Sequence, residues 1–411
     1  MDNVQLNFQT GIENEGMSSI GIQRNLNLFT DKVNPLIAAG KKTVYILADA
    51  LRYELAVFLK QGLERSDFDC RLEPSLAFVP TVTKYGMAAL MPEAEKNLEL
   101  KIVNKKLEPF LKNTKSSNRK DRITYTDSYF GDKHAWYWEN DILSQQYEKK
   151  DILFVTTTEI DKAGENSPES AQMVIENAIR KILKLSNILK EEGYEEFVLV
   201  ADHGFVLIDS FKAGNSSTKP TGEWSLEKSR CLAGIGDSNS EHLKLSNEDL
   251  AITSETKQFL FLKNYATYER GKKFFHEGLS LQECITPFLS FTPKRATSKQ
   301  EYQINVTYKG KASGYVTTRR PSIEIACFGD SFFDEPIDVL VEAKSNDIQI
   351  GVPASSEYVN PTSGFIEITP GQSVKVTLAL NDEFEGKFTV YAKSPASGII
   401  LSEINLETDY L

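Results

Sequence analysis

Histidine is scarce in this chain, with four in 411 residues, beside four cysteines and three tryptophans. Cys70, Cys231, Cys284 and Cys327 lie far apart and form no CxxC pair, which predicts buried free thiols in a reducing compartment. No apolar run approaches the roughly 18–20 residues that cross a bilayer, so no membrane span is expected. The opening MDNVQLNFQTGIENEG has no basic stretch leading into an apolar core and does not read as a signal peptide. A soluble, cytoplasmic protein is the expectation. There is no GxxxxGK(S/T) motif, which excludes a P-loop NTPase, and no long-period repeat or low-complexity tract.

What is present is ordinary globular composition: 40% hydrophobic, 26% charged, 24 glycines and 15 prolines. A chain of this length should hold two or three domains. The net charge is −11, but residues 301–411 alone carry −8, leaving the first 300 residues at only −3. The acidic balance therefore does not exclude a phosphate-bearing substrate.

Three apolar runs set the organisation. KKTVYILADALRYELAVFLKQGLE reads as a buried strand ending at Asp49, then a helix with apolar positions Leu51, Leu55, Phe58, Leu59 and Leu63. DILFVTTTEID is a second strand, followed by a helix from about Pro168 to Glu192. FVLVADHGF is a third. Strands alternating with helices predict a mostly parallel sheet in an α/β domain, with ligands gathered beyond the carboxyl ends of the strands. Residues 1–40 form a lead-in with a helix kinked at Pro35, and residues 41–295 the α/β domain. Residues 300–411, short alternating segments such as SIEIACF and SVKVTLAL, form an all-β, Ig-like sandwich after the linker TPKRATSKQ. Lys212–Ser240 reads as a long loop. Residues 101–122 hold eight basic and two acidic side chains. They read either as an electrostatic track for a nucleic-acid backbone or as a solvated face, the latter favoured because Phe110 is their only aromatic. FGDKHAWYWEND, around His134, reads as a strand packed on the sheet or as an aromatic rim for a base or partner.

The chemistry gathers at the strand ends and the turns after them: Asp49, the stretch PTVT ending at Thr83, DKAGE from Asp161 to Glu165, Asp202 with His203, and His276. Each has a structural explanation taken singly. A strand-end Asp can cap a helix, DHG can be a turn, His276 a satisfied core histidine and Thr83 an N-cap. Together, carboxylates with imidazoles supply the hard oxygen and neutral nitrogen donors that a borderline divalent metal takes.

The order of these motifs resembles the PglZ domain family of the alkaline phosphatase superfamily. YILADALRYELA is similar to its apolar strand followed by D-x-L-R-Y-E, and VPTVTKYGMAALMP to its nucleophile turn. VTTTEIDKAGE resembles its I-D-x-x-G-(D/E) motif, VLVADHGF its second metal motif, and FFHEGLSLQE its H-G-G-x-S-x-x-E segment. The likeness covers about residues 40–290. It implies two divalent cations, Zn2+ or Mn2+. One would be held by Asp49, Asp202 and His203 beside the nucleophile Thr83, the other by Asp161, Glu165 and His276. Metal coordination would lower the pKa of the Thr83 hydroxyl, and its helix start would favour a phosphoryl group. The implied activity is a phosphoesterase, a phosphodiesterase or nuclease rather than a monoesterase, in BREX-type anti-phage defence or bacterial signalling. The acidic sandwich would contact protein partners. Arg52 and Lys84 are candidate substrate contacts, with helix pinning and plain solvation as their alternatives. Two departures stand out: Glu165 where the wider superfamily places a histidine, and HEG in place of HGG, which puts Glu277 beside a ligand position. PTVTKYG lacks the C/S-x-P-x-R of sulfatases. Family members usually extend further at the N-terminus. The rival reading is a catalytically silent metal-binding scaffold.

Overall fold

The computed structural model describes residues 2–166, 168, 171–208, 216–294, 303–310, 314–328, 336–346, 348–354, 358–360, 363–395 and 398–410. The chain separates into two compact units, Met1–Lys294 and Arg295–Leu411.

The first unit is built on a six-stranded sheet: β1 (Thr43–Ala48), β2 (Phe68–Leu76), β3 (His134–Trp138), β4 (Ile152–Thr157), β5 (Glu196–Ala201) and β6 (Ile285–Pro293). Its spatial order is β2-β6-β5-β1-β4-β3. Strands β5, β1, β4 and β3 are parallel, and β6 runs antiparallel to β2 and β5. Every residue of β1 is buried. Tyr45 and Leu47 enter one core, and Val44, Ile46 and Ala48 the other. Burial on both faces is why this strand is a continuous apolar run and not an alternating one. Ala48 pairs with both Thr157 and Ala201, so three strands end level and Asp49 and Asp202 leave the same edge.

Helices α1 (Tyr53–Glu64), α2 (Thr83–Ala89), α3 (Arg119–Phe130), α4 (Glu159–Asn166) and α5 (Ala171–Glu191) accompany the sheet. The apolar stripe of α1 is narrower than the sequence pattern: Ala56, Leu59 and Leu63 are buried, whereas Phe58 is 63% exposed. Where one helix was expected from Pro168, there are two, because α4 starts at Glu159, directly after β4. The lead-in also differs. Asp2–Glu15 is helical, and a π-turn at Phe29–Val33 interrupts the next helix before Pro35, which sits in the first turn of Asn34–Ala38. Gln5 and Gln9 on the N-terminal helix both donate to the Leu279 carbonyl, at 2.8 and 3.1 Å.

The basic segment is structured. Leu98–Val103, Lys106–Leu111 and Thr114–Lys115 form a three-stranded sheet that leads into α3. Of the expected loop at 212–240, residues 212–215 lie outside the described residues. The rest contains a hairpin, Gly222–Glu227 with Cys231–Gly236, in a four-stranded sheet with Phe259–Leu262 and His242–Leu245. Cys231, Leu232 and Ala233 are buried, and that apolar face pairs the segment instead of leaving it a loop. Linker residues 295–300 are outside the described residues, while Thr292 and Pro293 belong to β6.

The second unit is all β. Its strands alternate buried and exposed positions, as in Ser373–Leu380, which is the period of a sheet with one face on a core. The first described strand, Gln303–Tyr308, comes round to the last: the Val306 amide donates to Ser402 Oγ at 3.1 Å. Cys231 and Cys284 are buried free thiols, whereas Cys70 is only half-buried. Among the described residues, no helix is long and apolar enough to cross a membrane.

Candidate metal centre

Asp49 follows β1, and its amide donates to the Thr157 carbonyl at 3.0 Å. Asp202 follows β5 and is fully buried. Its Oδ1 accepts the amides of Ala50 (3.2 Å) and His203 (2.9 Å), which leaves Oδ2 pointing at His203 Nε2, 3.3 Å away. His203 Nδ1 lies 2.9 Å from the Gly204 carbonyl. A carbonyl can only accept, so Nδ1 carries the proton and Nε2 presents a lone pair. Thr83 Oγ1 is 3.1 Å from that Nε2, and Asp49 Oδ1 is 3.7 Å from it. Gly86, one turn into α2, allows this approach, since a Cβ there would lie 2.7 Å from the Asp202 carbonyl oxygen.

Asp161 and Glu165 lie four residues apart on α4, hence on one helical face. They sit on a helix and not in the strand-end turn the sequence suggested. Gly164 brings that helix down onto the ring of Phe274, where a Cβ would meet Cε2 at 2.1 Å. His276, just beyond the short strand Phe274–Phe275, places Nε2 3.5 Å from Asp161 Oδ1. Its Nδ1 donates to the Thr81 carbonyl at 2.9 Å, again leaving Nε2 unprotonated. The two imidazoles stack at 4.1 Å with 12° between planes.

The structure thus brings together Asp49, Asp202 and His203, and separately Asp161, Glu165 and His276. In each set the donor atoms lie within 4.8 Å of one another. Asp49 Oδ1, Asp161 Oδ1 and Asp202 Oδ2 are buried with no hydrogen-bond partner among the described residues. Burial, reinforced by the neighbouring carboxylates, pushes the Asp49 and Asp202 pKa values well above the carboxylate range. Those of Asp161 and Glu165 rise, mainly by burial. Burial and the adjacent His203 take His276 down to about 3. Crowded carboxylates with orphaned oxygens and two exposed imidazole lone pairs fit divalent cations, because cations replace the missing partners and cancel the repulsion.

Glu277 turns away from this pocket. It adopts φ +82°, the left-handed region that favours glycine. Its carboxylate accepts the Ser229 amide (2.8 Å) and hydroxyl (2.7 Å) and pairs with Lys228 at 2.9 Å. Although burial acts upward on its pKa, His276 and Lys228 hold it down at about 2. Behind it, fully buried Glu283 accepts the amides of Gly278 (2.8 Å) and Ser280 (3.0 Å) and pairs with buried Arg230 at 3.1 Å. Thr81 Oγ1 donates to the Gly278 carbonyl at 2.9 Å, tying the turn before Thr83 to the turn after His276.

Arg52 pairs with Glu54 and lies 5.2 Å over the Phe205 ring. Lys84 donates to the Leu107 carbonyl at 2.6 Å and sits 3.3 Å from Glu108, so it is not a solvated surface lysine. Sequence reasoning missed Arg122. It stands in the basic segment read as a solvated face, yet it is 7% exposed. The available signal was the capping box: Asn118 accepts the Asp121 amide at 3.0 Å, which starts α3 and turns Arg119 and Arg122 to one side.

A level-ended parallel sheet carrying paired Asp/His sets and a threonine at its carboxyl edge places the chain among alkaline phosphatase-like α/β proteins. The family model for the BREX system PglZ alkaline phosphatase-like domain matches residues 28–291, and the chain belongs to that family. It is 21% identical over 305 residues to alkaline phosphatase-like protein PglZ of Bacillus cereus (strain H3081.97), covering 71% of this chain and 35% of that protein. It is 24% identical over 300 residues to alkaline phosphatase-like protein BrxZ of Escherichia coli O9:H4 (strain HS), covering 68% and 34%. The chain therefore spans about a third of the length of the curated relatives it matches. Among solved structures, murine ectonucleotide pyrophosphatase/phosphodiesterase 5 in complex with AMP is similar at TM-score 0.41 and 11% identity, over 61% of this chain and 87% of that one. Phosphonoacetate hydrolase from Sinorhizobium meliloti 1021 is similar at TM-score 0.40 and 12% identity, over 61% and 89%.

Proposed function

We propose that this chain is a cytoplasmic, metal-dependent phosphoric ester hydrolase of BREX-type defence, with Thr83 as nucleophile and phosphodiesters, nucleic acid among them, as substrates. The observation that carries the reading is the Thr83 hydroxyl, 3.1 Å from His203 Nε2, beside carboxylate oxygens that lack partners. Asp49, Asp202 and His203 would hold one divalent cation and Asp161, Glu165 and His276 a second, Zn2+ or Mn2+ by donor type. Once bound, these would supply the positive charge that makes a threonine hydroxyl a competent nucleophile.

The chain's own residues do the rest. The Nδ1–H bonds to Gly204 and Thr81 hold the two rings in one orientation. The amides of Ala50 and His203 hold Asp202, and burial keeps water from the charges, which strengthens them. Thr83 Oγ attacks phosphorus, the alcohol departs with its oxygen, and a threonyl phosphoester remains for water to cleave. Arg52, whose Nε has no partner, and Lys84 are the flanking cations for substrate oxygens. The acidic second unit would serve protein contacts in a defence complex. A silent metal-binding scaffold is the second reading. The departure at Glu277 favours it, and the intact hydroxyl and complete donor sets weigh against it.

The test is hydrolysis of bis-p-nitrophenyl phosphate by metal-stripped protein titrated with Zn2+, Mn2+ and Mg2+. Metal-dependent turnover abolished by Thr83→Ala and by His276→Ala is expected. Two bound ions with no turnover under any metal would shift the conclusion to the scaffold.

A further inference from the structure

Two segments that the hydrolase reading leaves unused, the basic run and the tryptophan-rich strand, meet beside the site. Arg119 and Arg122 lie one turn apart at the start of α3. The Arg119 guanidinium sits 4.6 Å over the Trp138 ring and 5.6 Å over Trp136. Trp136 is committed to the interior, stacked on Phe154 at 4.7 Å with its indole N–H on Thr126. Trp138 is different, since it keeps 40% of its surface exposed. It ends β3 and is level with Thr156, which is level with Leu47 of β1. Trp138 therefore stands at the carboxyl edge, two strand spacings (about 10 Å) from the strand that delivers Asp49.

Arg122 lies deeper and is unmatched. Among the described residues, its guanidinium makes one hydrogen bond, a long one from Nη1 to the Ser116 carbonyl at 3.4 Å, and its Nε has no partner. Among the described residues, no carboxylate forms an ion pair with it, although the charges of Asp202 and Asp49 act on it and its charge on them. A buried guanidinium without a carboxylate partner calls for an anionic oxygen from a ligand. A phosphoryl group at Thr83 would supply one.

Resting on the phosphoesterase reading, we propose that Arg122 and Trp138 form a nucleotide subsite. Arg122 takes a non-bridging phosphoryl oxygen, and the exposed face of Trp138 stacks the base of the esterified nucleoside. Arg119 is a positioning residue that covers the other face of the indole. Stacking accepts any base, and the phosphate contact carries no base identity, so the subsite selects nucleotides over simple phosphate esters without reading sequence.

The experiment measures binding of thymidine 5′-monophosphate and of inorganic phosphate to the full chain supplied with divalent metal, by tryptophan fluorescence and calorimetry. Wild type is expected to prefer the nucleotide on the order of 10-fold. Trp138→Ala should collapse that preference towards one, and Trp138→Phe should keep most of it. Arg122→Met should weaken both ligands at least about 10-fold with the preference retained, and Arg122→Lys should recover part. Thermal melts separate these effects from misfolding. A wild type that gains nothing from the thymine, or a Trp138→Ala that keeps the full preference, overturns the subsite. Hydrolysis of thymidine 5′-(p-nitrophenyl phosphate) against methyl p-nitrophenyl phosphate then separates the two readings. Turnover without nucleotide preference leaves the hydrolase and removes the subsite. Nucleotide-selective binding without turnover removes the hydrolase and leaves the subsite.

Discussion

His203 and His276 stack their imidazoles at 4.1 Å, and each donates Nδ1–H to a backbone carbonyl, so both Nε2 atoms face the same pocket. This contact joins the two carboxylate sets, which come from different strands and a helix, into one centre. Two protonated rings could not stack this way without repulsion. The low pKa of His276, about 3, agrees with a site built for neutral imidazoles.

Metal binding should depend on pH with a definite sign. Burial raises the folded-state pKa values of Asp49 and Asp202, so the metal-free protein holds protons there that the unfolded chain has released. Its stability therefore falls as pH rises above the usual carboxylate range. A bound cation displaces those protons, and affinity should increase with pH. The rise in melting temperature on adding Zn2+ or Mn2+ should be larger at pH 8 than at pH 5.5, with proton release on binding seen by calorimetry in buffers of different ionisation enthalpy. An equal rise at both pH values would contradict this.

Gly86→Ala should damage the centre from outside it. The new Cβ would lie 2.7 Å from the Asp202 carbonyl oxygen and 2.8 Å from its Cβ, and neither can swing aside. The expected cost is about 1–3 kcal/mol of stability, with activity down about 100-fold as Thr83 moves off His203. Gly11→Ala is the control, since nothing lies within 4 Å of a Cβ there and its helix should gain about 0.5–1 kcal/mol. Urea melts and kinetics of both variants check the contrast.

Arg230→Met should be strongly destabilising. It leaves Glu283, which is fully buried and braces the turn after His276, without its 3.1 Å cation. Losing one partner of a buried pair costs about 3–5 kcal/mol. Adding Glu283→Gln should recover part of it, whereas additive losses in a denaturant double-mutant cycle would show that the pair is not coupled.

Glu139 gives a second pH effect, from a residue outside the two ligand sets. Burial, helped by the nearby Glu159 carboxylate, pushes it up to about 7, against the pull of Lys181. The folded state therefore holds a proton that the unfolded chain loses near pH 4.5, and stability declines as pH climbs from there to about 7. Glu139→Gln should remove that decline and be about 3 kcal/mol more stable than wild type at pH 8. Melting curves from pH 4.5 to 8 for the two proteins would show the gap opening across that window. A constant gap would refute it.

Some of this was legible in the linear chain because it is local. Fully buried strands write themselves as apolar runs, and Asp49, Thr83, Asp202 and His276 lie in short strings whose order carries the family resemblance. Other features were not, and each has a cause. Phe58 lies three residues after Leu55, at helical spacing, but α1 buries a narrower stripe than that spacing suggests. The Lys212–Ser240 stretch looks like a loop from its Gly, Ser and Lys content, yet its later half pairs in a sheet through Leu232 and Ala233.

The sequence alone determined the α/β layout, the all-β second unit, and the supply of carboxylates, imidazoles and one well-placed threonine. These follow from side-chain period and residue chemistry, which act over a few neighbours. Only the tertiary structure decided that Asp161 and Glu165 meet His276 from a helix face, and that buried Glu277 is taken up by Ser229 and Lys228. It also decided that Arg122 is buried without a carboxylate partner among the described residues. Those outcomes depend on which remote segments exclude water from a charge and which supply its partner, and no spacing along the chain encodes that.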